Sequence, residues 1–98
     1  MAFLIYAYDH EGMDKKRESI RQAHREHLSS VGNKLIASGA LLDDDKTIVG
    51  GISLLNVNSR EEAEKFANED PYVKAGIRKT TKIIMWRKRW FEGEFLGE

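Results

Sequence analysis

The order of strand-like and helix-like segments constrains the fold of this 98-residue chain more than any other feature. Alternating apolar residues predict strands, whereas apolar residues spaced three and four apart predict helices. The segments follow in the order β-α-β-β-α-β, with strands over residues 2–8, 35–42, 47–57 and 80–86 and helices over 16–31 and from 60 to just before Pro71. This is the order of the ferredoxin-like α+β fold, in which a four-stranded antiparallel sheet carries both helices on one face.

Local signals support both helices. The first has one stripe with a repeat of about 3.6 residues, made of Ile20, His24, His27, Leu28 and Val31. Gly32 and Asn33 end it, because both residues accept the left-handed conformation that follows many helices. The second begins with a capping box of Ser59 and Glu62. It ends before Pro71, since proline disfavours a helical conformation in the preceding residue.

The first strand is apolar on both sides, which predicts a central strand covered on both faces. One side carries Phe3, Ile5 and Ala7, and the other carries Ala2, Leu4, Tyr6 and Tyr8. In the predicted fold the helices cover one sheet face and leave the other open. An open apolar face is larger than a soluble monomer usually exposes. We therefore expect a homodimer in which the two open sheet faces pack together, as in a dimeric α/β barrel.

Charge and residue usage exclude several kinds of partner and site. The chain carries 16 Lys plus Arg and 16 Asp plus Glu, so no net charge favours nucleic acid or a membrane surface. It has no cysteine, which excludes disulfides and thiolate chemistry. No apolar run approaches the roughly 20 residues that span a bilayer, and no basic leader of a signal peptide is present. We expect one cytoplasmic domain over residues 1–98, with 86–98 as a strand end and solvated tail.

Two segments carry the residues best suited to chemistry, Arg21-x-x-His24 and Asp70-Pro71-Tyr72. His24 lies near the centre of the stripe on the first helix, and the proline fixes Asp70 at the end of the second helix. A carboxylate and an imidazole brought together by folding form a minimal general acid–base pair. Two other interpretations stay open. His24 could be a core histidine bonded to a backbone carbonyl, and Asp70 could begin an ordinary Asp-Pro turn.

Three further side chains could assist such a pair. Arg17 and Arg21 lie one or two turns before His24 on the same helix, where either could neutralise an anionic oxygen of a substrate. An aspartate after the last turn of a helix is unfavourable for the helix dipole, which a functional role of Asp70 would explain. Tyr72 could supply a phenol or simply pack.

We expect neither a metal nor an organic cofactor. The pair His24-x-x-His27 has no evident third ligand and no His-Glu-x-x-His pattern. The acidic run at 43–45 lacks the spacing of a calcium loop. Gly50 and Gly51 lack the pattern of a phosphate-binding loop.

Several motifs occur in a characteristic order along the chain. They are F-L-I-Y-A-Y-D at 3–9, Arg21-x-x-His24, L-I-A-S-G-A at 35–40, S-x-x-E-A at 59–63 and D-P-Y-x-x-A-G at 70–76. Together they resemble the YciI-like (YCII-related) family of small bacterial proteins. The resemblance implies a dimeric ferredoxin-like α/β barrel with a histidine–aspartate dyad at His24 and Asp70. Gly51 departs from the pattern, since family members often carry serine there, and the tail beyond Arg87 lies outside the match.

The resemblance also implies a cofactor-independent acid–base enzyme of the lyase (dehydrochlorinase) or isomerase type, acting on a small organic molecule such as a phenol or quinol. In this hypothesis His24 removes a proton and Asp70 orients the imidazole. The substrate would be bound by Arg17, Arg21 and Tyr72. The alternative is a dimeric module that binds a small ligand and catalyses nothing, and a third hypothesis is a purely structural interaction domain.

Overall fold

A computed structural model gives the fold and describes residues 2–97. The elements along the chain are β1 (Ala2–Asp9), α1 (Asp14–Ser30), β2 (Leu35–Leu42), β3 (Ile48–Asn56), α2 (Arg60–Asn68), α3 (Pro71–Lys74), β4 (Arg78–Trp86) and a final hairpin of β5 (Trp90–Phe91) and β6 (Glu94–Phe95). A single 3₁₀ turn over Gly32–Lys34 connects α1 to β2.

The sheet has four strands in the order β2-β3-β1-β4, and every neighbouring pair is antiparallel. The connection from β1 through α1 to β2 passes over β3, which gives the split βαβ arrangement of the ferredoxin-like fold. The predicted α+β fold class is confirmed. The first strand occupies a central position, as its apolar residues on both sides indicated.

The core lies between the sheet and the helices. Alternate residues of β1 point to this side, and so do the residues opposite them on β3 and β4. The buried cluster consists of Phe3, Ile5, Leu55, Val57, Ala63, Phe66 and Ala67. Helix α2 begins as the capping box predicted, because the Ser59 side chain accepts a hydrogen bond from the N–H of Glu62 at 3.2 Å. Its apolar side then packs on the sheet.

Several predicted boundaries were wrong. Helix α1 begins at Asp14 rather than residue 16, where an acidic residue in the first turn is favourable for the helix dipole. Strand β4 begins at Arg78 rather than residue 80. The solvated tail forms the hairpin of β5 and β6, in which the rings of Trp90 and Phe95 lie 5.1 Å apart. Its turn contains Gly93 at φ +83°, a conformation that glycine adopts without strain.

Within residues 2–97 no helix is long and apolar enough to cross a membrane. The cytoplasmic location stays a prediction. The single domain over 1–98 stays a prediction as well, and its residues 1 and 98 lie outside the described part of the chain.

Candidate active site

The structure brings His24 and Asp70 together. Helix α1 packs against α3, and this contact places Nδ1 of His24 3.0 Å from Oδ1 of Asp70. The exposed fractions of the two side chains are 16% and 12%, so both are largely shielded from water. A hydrogen bond in such surroundings is stronger than one at the surface, because the local dielectric is lower.

Asp70 is held by the local structure of α3. It is the N-cap of this helix, with Pro71 in the first turn, a position that suits proline because its missing N–H would have no intrahelical partner. Oδ1 of Asp70 also accepts a hydrogen bond from the backbone N–H of Tyr72 at 2.9 Å. The prediction that Asp70 lies unfavourably at the end of the second helix was therefore wrong, because Asp70 begins the short helix α3.

The surroundings of Asp70 favour its ionised form. Burial by itself raises the pKa of this carboxyl, whereas the hydrogen bonds with His24 and with the Tyr72 N–H lower the pKa, as do the charges of His24 and Arg78. The lowering effects prevail, so the pKa of Asp70 lies below its ordinary value. An ionised carboxylate only accepts hydrogen bonds, so the neutral imidazole must carry its proton on Nδ1. Nε2 of His24 is then the nitrogen with a free lone pair.

Tyr72 forms a platform for the histidine. Its ring is stacked on the imidazole of His24, with centroids 4.0 Å apart and planes at 18°. The guanidinium groups of Arg17 and Arg78 lie 4.4 and 5.1 Å from the centre of the same ring. Tyr72 is only 3% exposed, so this geometry favours a positioning role for its ring. Its assignment as a substrate-binding residue stays a prediction.

Sequence reasoning missed Asp9 and Arg78, which complete the charged cluster. A register shift after Tyr8 places Asp9 of β1 directly opposite Arg78 of β4, and bulges of this kind often re-aim side chains near functional sites. Oδ1 of Asp9 accepts a hydrogen bond from Arg78 at 2.9 Å, and Oδ2 accepts one from Arg17 at 2.7 Å. Asp9 is the last residue of the F-L-I-Y-A-Y-D motif, and its place in that motif was a signal that could have identified it. Arg78 belongs to no motif in the sequence.

The two arginines predicted to bind substrate are placed differently. Arg17 is buried, and its Nη1 donates a hydrogen bond to Asp9. Arg21 is an exposed residue of α1. Both remain candidates, since both line the cleft beside His24.

That cleft is the natural place for a ligand. It has a volume of about 390 Å³ and lies between α1 and the strands β2 and β3, within the size range of small-molecule sites. Its lining residues are Arg17, Arg21, His24, Arg25, Leu28, Ser38, Gly39, Ala40, Gly51, Ile52, Ser53 and Arg78. The hydroxyl groups of Ser38 and Ser53 lie 3.0 Å apart on neighbouring strands. The cleft therefore combines an imidazole, guanidinium groups and two hydroxyls.

Other candidate groups are engaged in local structure. Nε2 of His27 lies 2.8 Å from the carbonyl oxygen of Phe66, and the two rings are stacked. At the hairpin tip the carboxylate of Asp43 accepts hydrogen bonds from the N–H groups of Asp45 and Thr47. In the part of the chain that the structure describes, no group of three or more His, Asp and Glu side chains could hold a metal ion.

The fold and the cluster define a class of protein. The strand order is that of the dimeric α/β barrels of the ferredoxin-like type, and a His–Asp contact lies beside an open cleft. The sequence then places the chain more closely, because residues 1–87 match the YCII-related domain. The chain belongs to the YCII-related family.

Known relatives agree with this assignment. Protein YciI of Escherichia coli is 28% identical over 96 residues, which cover 90% of this chain and 98% of the relative, and protein YciI of Shigella flexneri matches equally well. Among solved structures, 5-chloro-2-hydroxyhydroquinone dehydrochlorinase (TftG) from Burkholderia phenoliruptrix, in complex with 2,5-dihydroxybenzoquinone, has a TM-score of 0.81 and 30% identity. The match covers 89% of this chain and 94% of TftG.

A more distant structure has the same fold. SnoaB, a cofactor-independent oxygenase from Streptomyces nogalater, has a TM-score of 0.54 and 11% identity, with 95% of this chain and 96% of SnoaB covered. The likeness shows the shared architecture alone. Proteins of this fold thus include enzymes that act on small molecules.

Proposed function

We propose that this protein is an enzyme that removes a proton from a small organic molecule, with His24 as the base and Asp70 as the residue that positions it. The observation that carries the proposal is the 3.0 Å contact between Nδ1 of His24 and Oδ1 of Asp70 beside an open cleft. The ionised carboxylate fixes the tautomer of the imidazole and stabilises the imidazolium that forms when Nε2 takes a proton. This is general base catalysis by a histidine.

The proton balance defines the reaction class. Nε2 of His24 takes a proton from an acidic C–H or O–H of the substrate, and the electron pair left behind either expels a leaving group or shifts within the molecule. Expulsion of the group forms a new double bond, which is a lyase reaction. Return of the proton from the imidazolium to another carbon of the substrate gives an isomerase reaction. Neither course requires a cofactor to carry electrons.

TftG supports a substrate of the quinol type. It is a dehydrochlorinase of a chlorinated hydroxyhydroquinone and was solved with a dihydroxybenzoquinone, and its similarity to this chain extends over most of both proteins. Hydroxylated benzenes also suit the cleft, because its serine and arginine side chains can bind ring oxygens. We therefore propose hydroxylated or halogenated quinols as the first substrates to examine.

Proton abstraction can be measured without knowledge of the full reaction. The protein is incubated in D₂O with a panel of hydroquinones and chlorinated hydroquinones, and deuterium incorporation and chloride release are followed by NMR and ion chromatography. Exchange or release above the rate without protein supports the enzyme. Saturable binding of a panel member with neither exchange nor release would instead favour the non-catalytic binding module.

We also propose that the protein is a homodimer through the open sheet face. On this face the register aligns Leu54, Leu4 and Ile84 in one row across β3, β1 and β4. The exposed fraction of Ile84 is 46% and that of Tyr8 is 50% in the single chain. A second copy that packs its own open face here would remove these apolar side chains from water.

Light scattering coupled to size exclusion should give a particle of twice the 11.2 kDa chain mass. Leu4→Glu should convert this particle to a monomer, because it would place a charged group of each copy in the apolar face that the dimer buries. Ala23→Glu, at an exposed position of α1, is the matched control and should leave the dimer intact. A wild-type monomer at micromolar concentration would contradict the proposed assembly.

A further inference from the structure

The cleft beside His24 carries an excess of positive charge. Among the described residues, 2–97, the lining includes no carboxylate but four arginines, which are Arg17, Arg21, Arg25 and Arg78. Arg17 and Arg78 share the carboxylate of Asp9, and Arg78 also lies 3.8 Å from the carboxylate of Asp70. Within residues 2–97 neither Arg21 nor Arg25 forms an ion pair. A cleft lined by charges of one sign attracts ligands of the opposite sign.

The guanidinium of Arg78 reaches the cleft because residue 51 has no side chain. A Cβ atom on Gly51 would lie 2.9 Å from Nη2 of Arg78, which is closer than real Cβ atoms come, and 3.2 Å from Nη1, which is tighter than most Cβ contacts. The guanidinium of Arg78 therefore packs directly against Gly51, and it lines the cleft with a side chain that is only 8% exposed. The neighbouring Gly50 has a different role, because a Cβ there would collide with the backbone oxygen of Ala7. Glycine at position 50 therefore allows β1 and β3 to approach closely.

The Nη2 atom of Arg78 still has hydrogen-bonding capacity. Nη1 donates to Asp9 at 2.9 Å, whereas Nη2 lies 3.8 Å from Oδ2 of Asp70, which is too long for a hydrogen bond. A guanidinium offers five N–H donors in a fixed plane. Donors of Nη2 can therefore serve a ligand while the contact with Asp9 is kept.

We propose that Gly51 and Arg78 form a specificity-determining pair, in which Gly51 leaves room for the Arg78 guanidinium and Nη2 of this group binds an anionic oxygen of the ligand beside His24. The ligand class is a small aromatic or enolic anion, such as a carboxylate or a phenolate. Arg21 and Arg25 attract the anion at the exposed end of the cleft, and Arg78 fixes its position. The inference rests on the proposed function in that it takes this cleft as the ligand site.

Equilibrium binding of benzoate and of the neutral benzamide tests the pair without any turnover. Because the two probes have the same ring and nearly the same shape, their difference in affinity measures charge recognition. We expect the full-length wild-type protein to bind benzoate about tenfold more tightly than benzamide, as charge-assisted hydrogen bonds predict. NMR titration of the His24 imidazole signals, alongside calorimetry, shows whether the probe lies in this cleft.

Gly51→Ala should weaken benzoate binding about tenfold and leave benzamide binding unchanged, because the new methyl group would displace the guanidinium of Arg78. Gly39→Ala is the control for an added methyl on the neighbouring strand, since Gly39 lies opposite Ile52 on the open sheet face and a Cβ there meets nothing within 4 Å. Arg78→Lys should reproduce the loss while it keeps a positive charge beside Asp9. Circular dichroism verifies that each variant is folded.

Several outcomes would overturn the pair. They are equal wild-type affinities for benzoate and benzamide, absence of benzoate binding at millimolar concentration, and unchanged benzoate affinity in both Gly51→Ala and Arg78→Lys. The last result would indicate that Arg21 and Arg25, rather than Arg78, bind the anion. Failure of the proposed enzyme is distinguishable, because deuterium exchange would be absent while the difference between the two probes persists.

Discussion

Replacement of His24 by asparagine should lower the rate of deuterium exchange into a substrate by about 100- to 10,000-fold, the usual contribution of a general base. The asparagine amide retains an N–H near the position of Nδ1, which lies 3.0 Å from Asp70, but it has no atom at the position of Nε2. The variant therefore removes the proton acceptor while it keeps a donor for the carboxylate. NMR measurement of exchange under single-turnover conditions gives the rate directly.

His27→Asn is the matched control for this experiment. It changes the second histidine of the same helix, whose Nε2 lies against the carbonyl oxygen of Phe66 rather than in the cleft. This variant should lose some stability and keep its exchange rate per folded molecule. Equal exchange rates in wild type and His24→Asn would show that the imidazole is structural, as the core-histidine interpretation holds.

The fold could be predicted from the sequence to the extent that it depends on local patterns. The alternation along β1 and the Ser59 capping box each report a neighbourhood of a few residues, and the strand order follows from their succession. Helix α3 was missed because four residues give no periodicity. The pair Asp70-Pro71 nevertheless contains its signal, since an acidic N-cap followed by proline is a common helix start.

The site was predictable only in part, for the same reason. The apolar stripe on α1 indicates that His24 points toward the core, and Pro71 fixes the position of Asp70 after α2. Because both helices lie on the same face of the predicted fold, the sequence could predict that the two side chains lie close together. The pairing of Asp9 with Arg78 joins residues 69 positions apart and depends on a register shift within a strand pair. Single-sequence patterns do not encode such a shift. The proposed role of Gly51 likewise could not be predicted from the sequence, because it depends on the contact with Arg78 that folding creates.

The ionised carboxylate of Asp70 connects stability to pH, and Asp70→Asn should reveal the connection. Asparagine is also a good N-cap, so its carbonyl oxygen can still accept the Tyr72 N–H that Oδ1 accepts in the wild type. The variant thus removes the charge that faces His24 and Arg78 and keeps the local geometry. At about pH 5 we expect the free energy of unfolding to fall by roughly 1.5–3 kcal/mol, the range for hydrogen bonds that involve a charged group.

The sign of the pH dependence follows from the direction of the shift. Because folding lowers the pKa of Asp70, its stabilising effect is complete above the unfolded value of about 3.9 and is lost as the pH falls through the lower folded-state pKa. Urea unfolding at about pH 5 and about pH 3 should therefore show that the stability gap between wild type and Asp70→Asn narrows on acidification.

Asp44→Asn, at an exposed carboxylate of the hairpin tip, controls for the general effect of removing one negative charge and should show little difference at either pH. The rate of deuterium exchange should fall in Asp70→Asn as well, because the neutral amide no longer stabilises the imidazolium that forms when Nε2 of His24 takes the proton. A stability gap that stays constant or widens toward pH 3 would mean that the carboxylate is not preferentially ionised in the folded protein. The fixed tautomer of His24, and with it the assignment of Nε2 as the base, would then have no support.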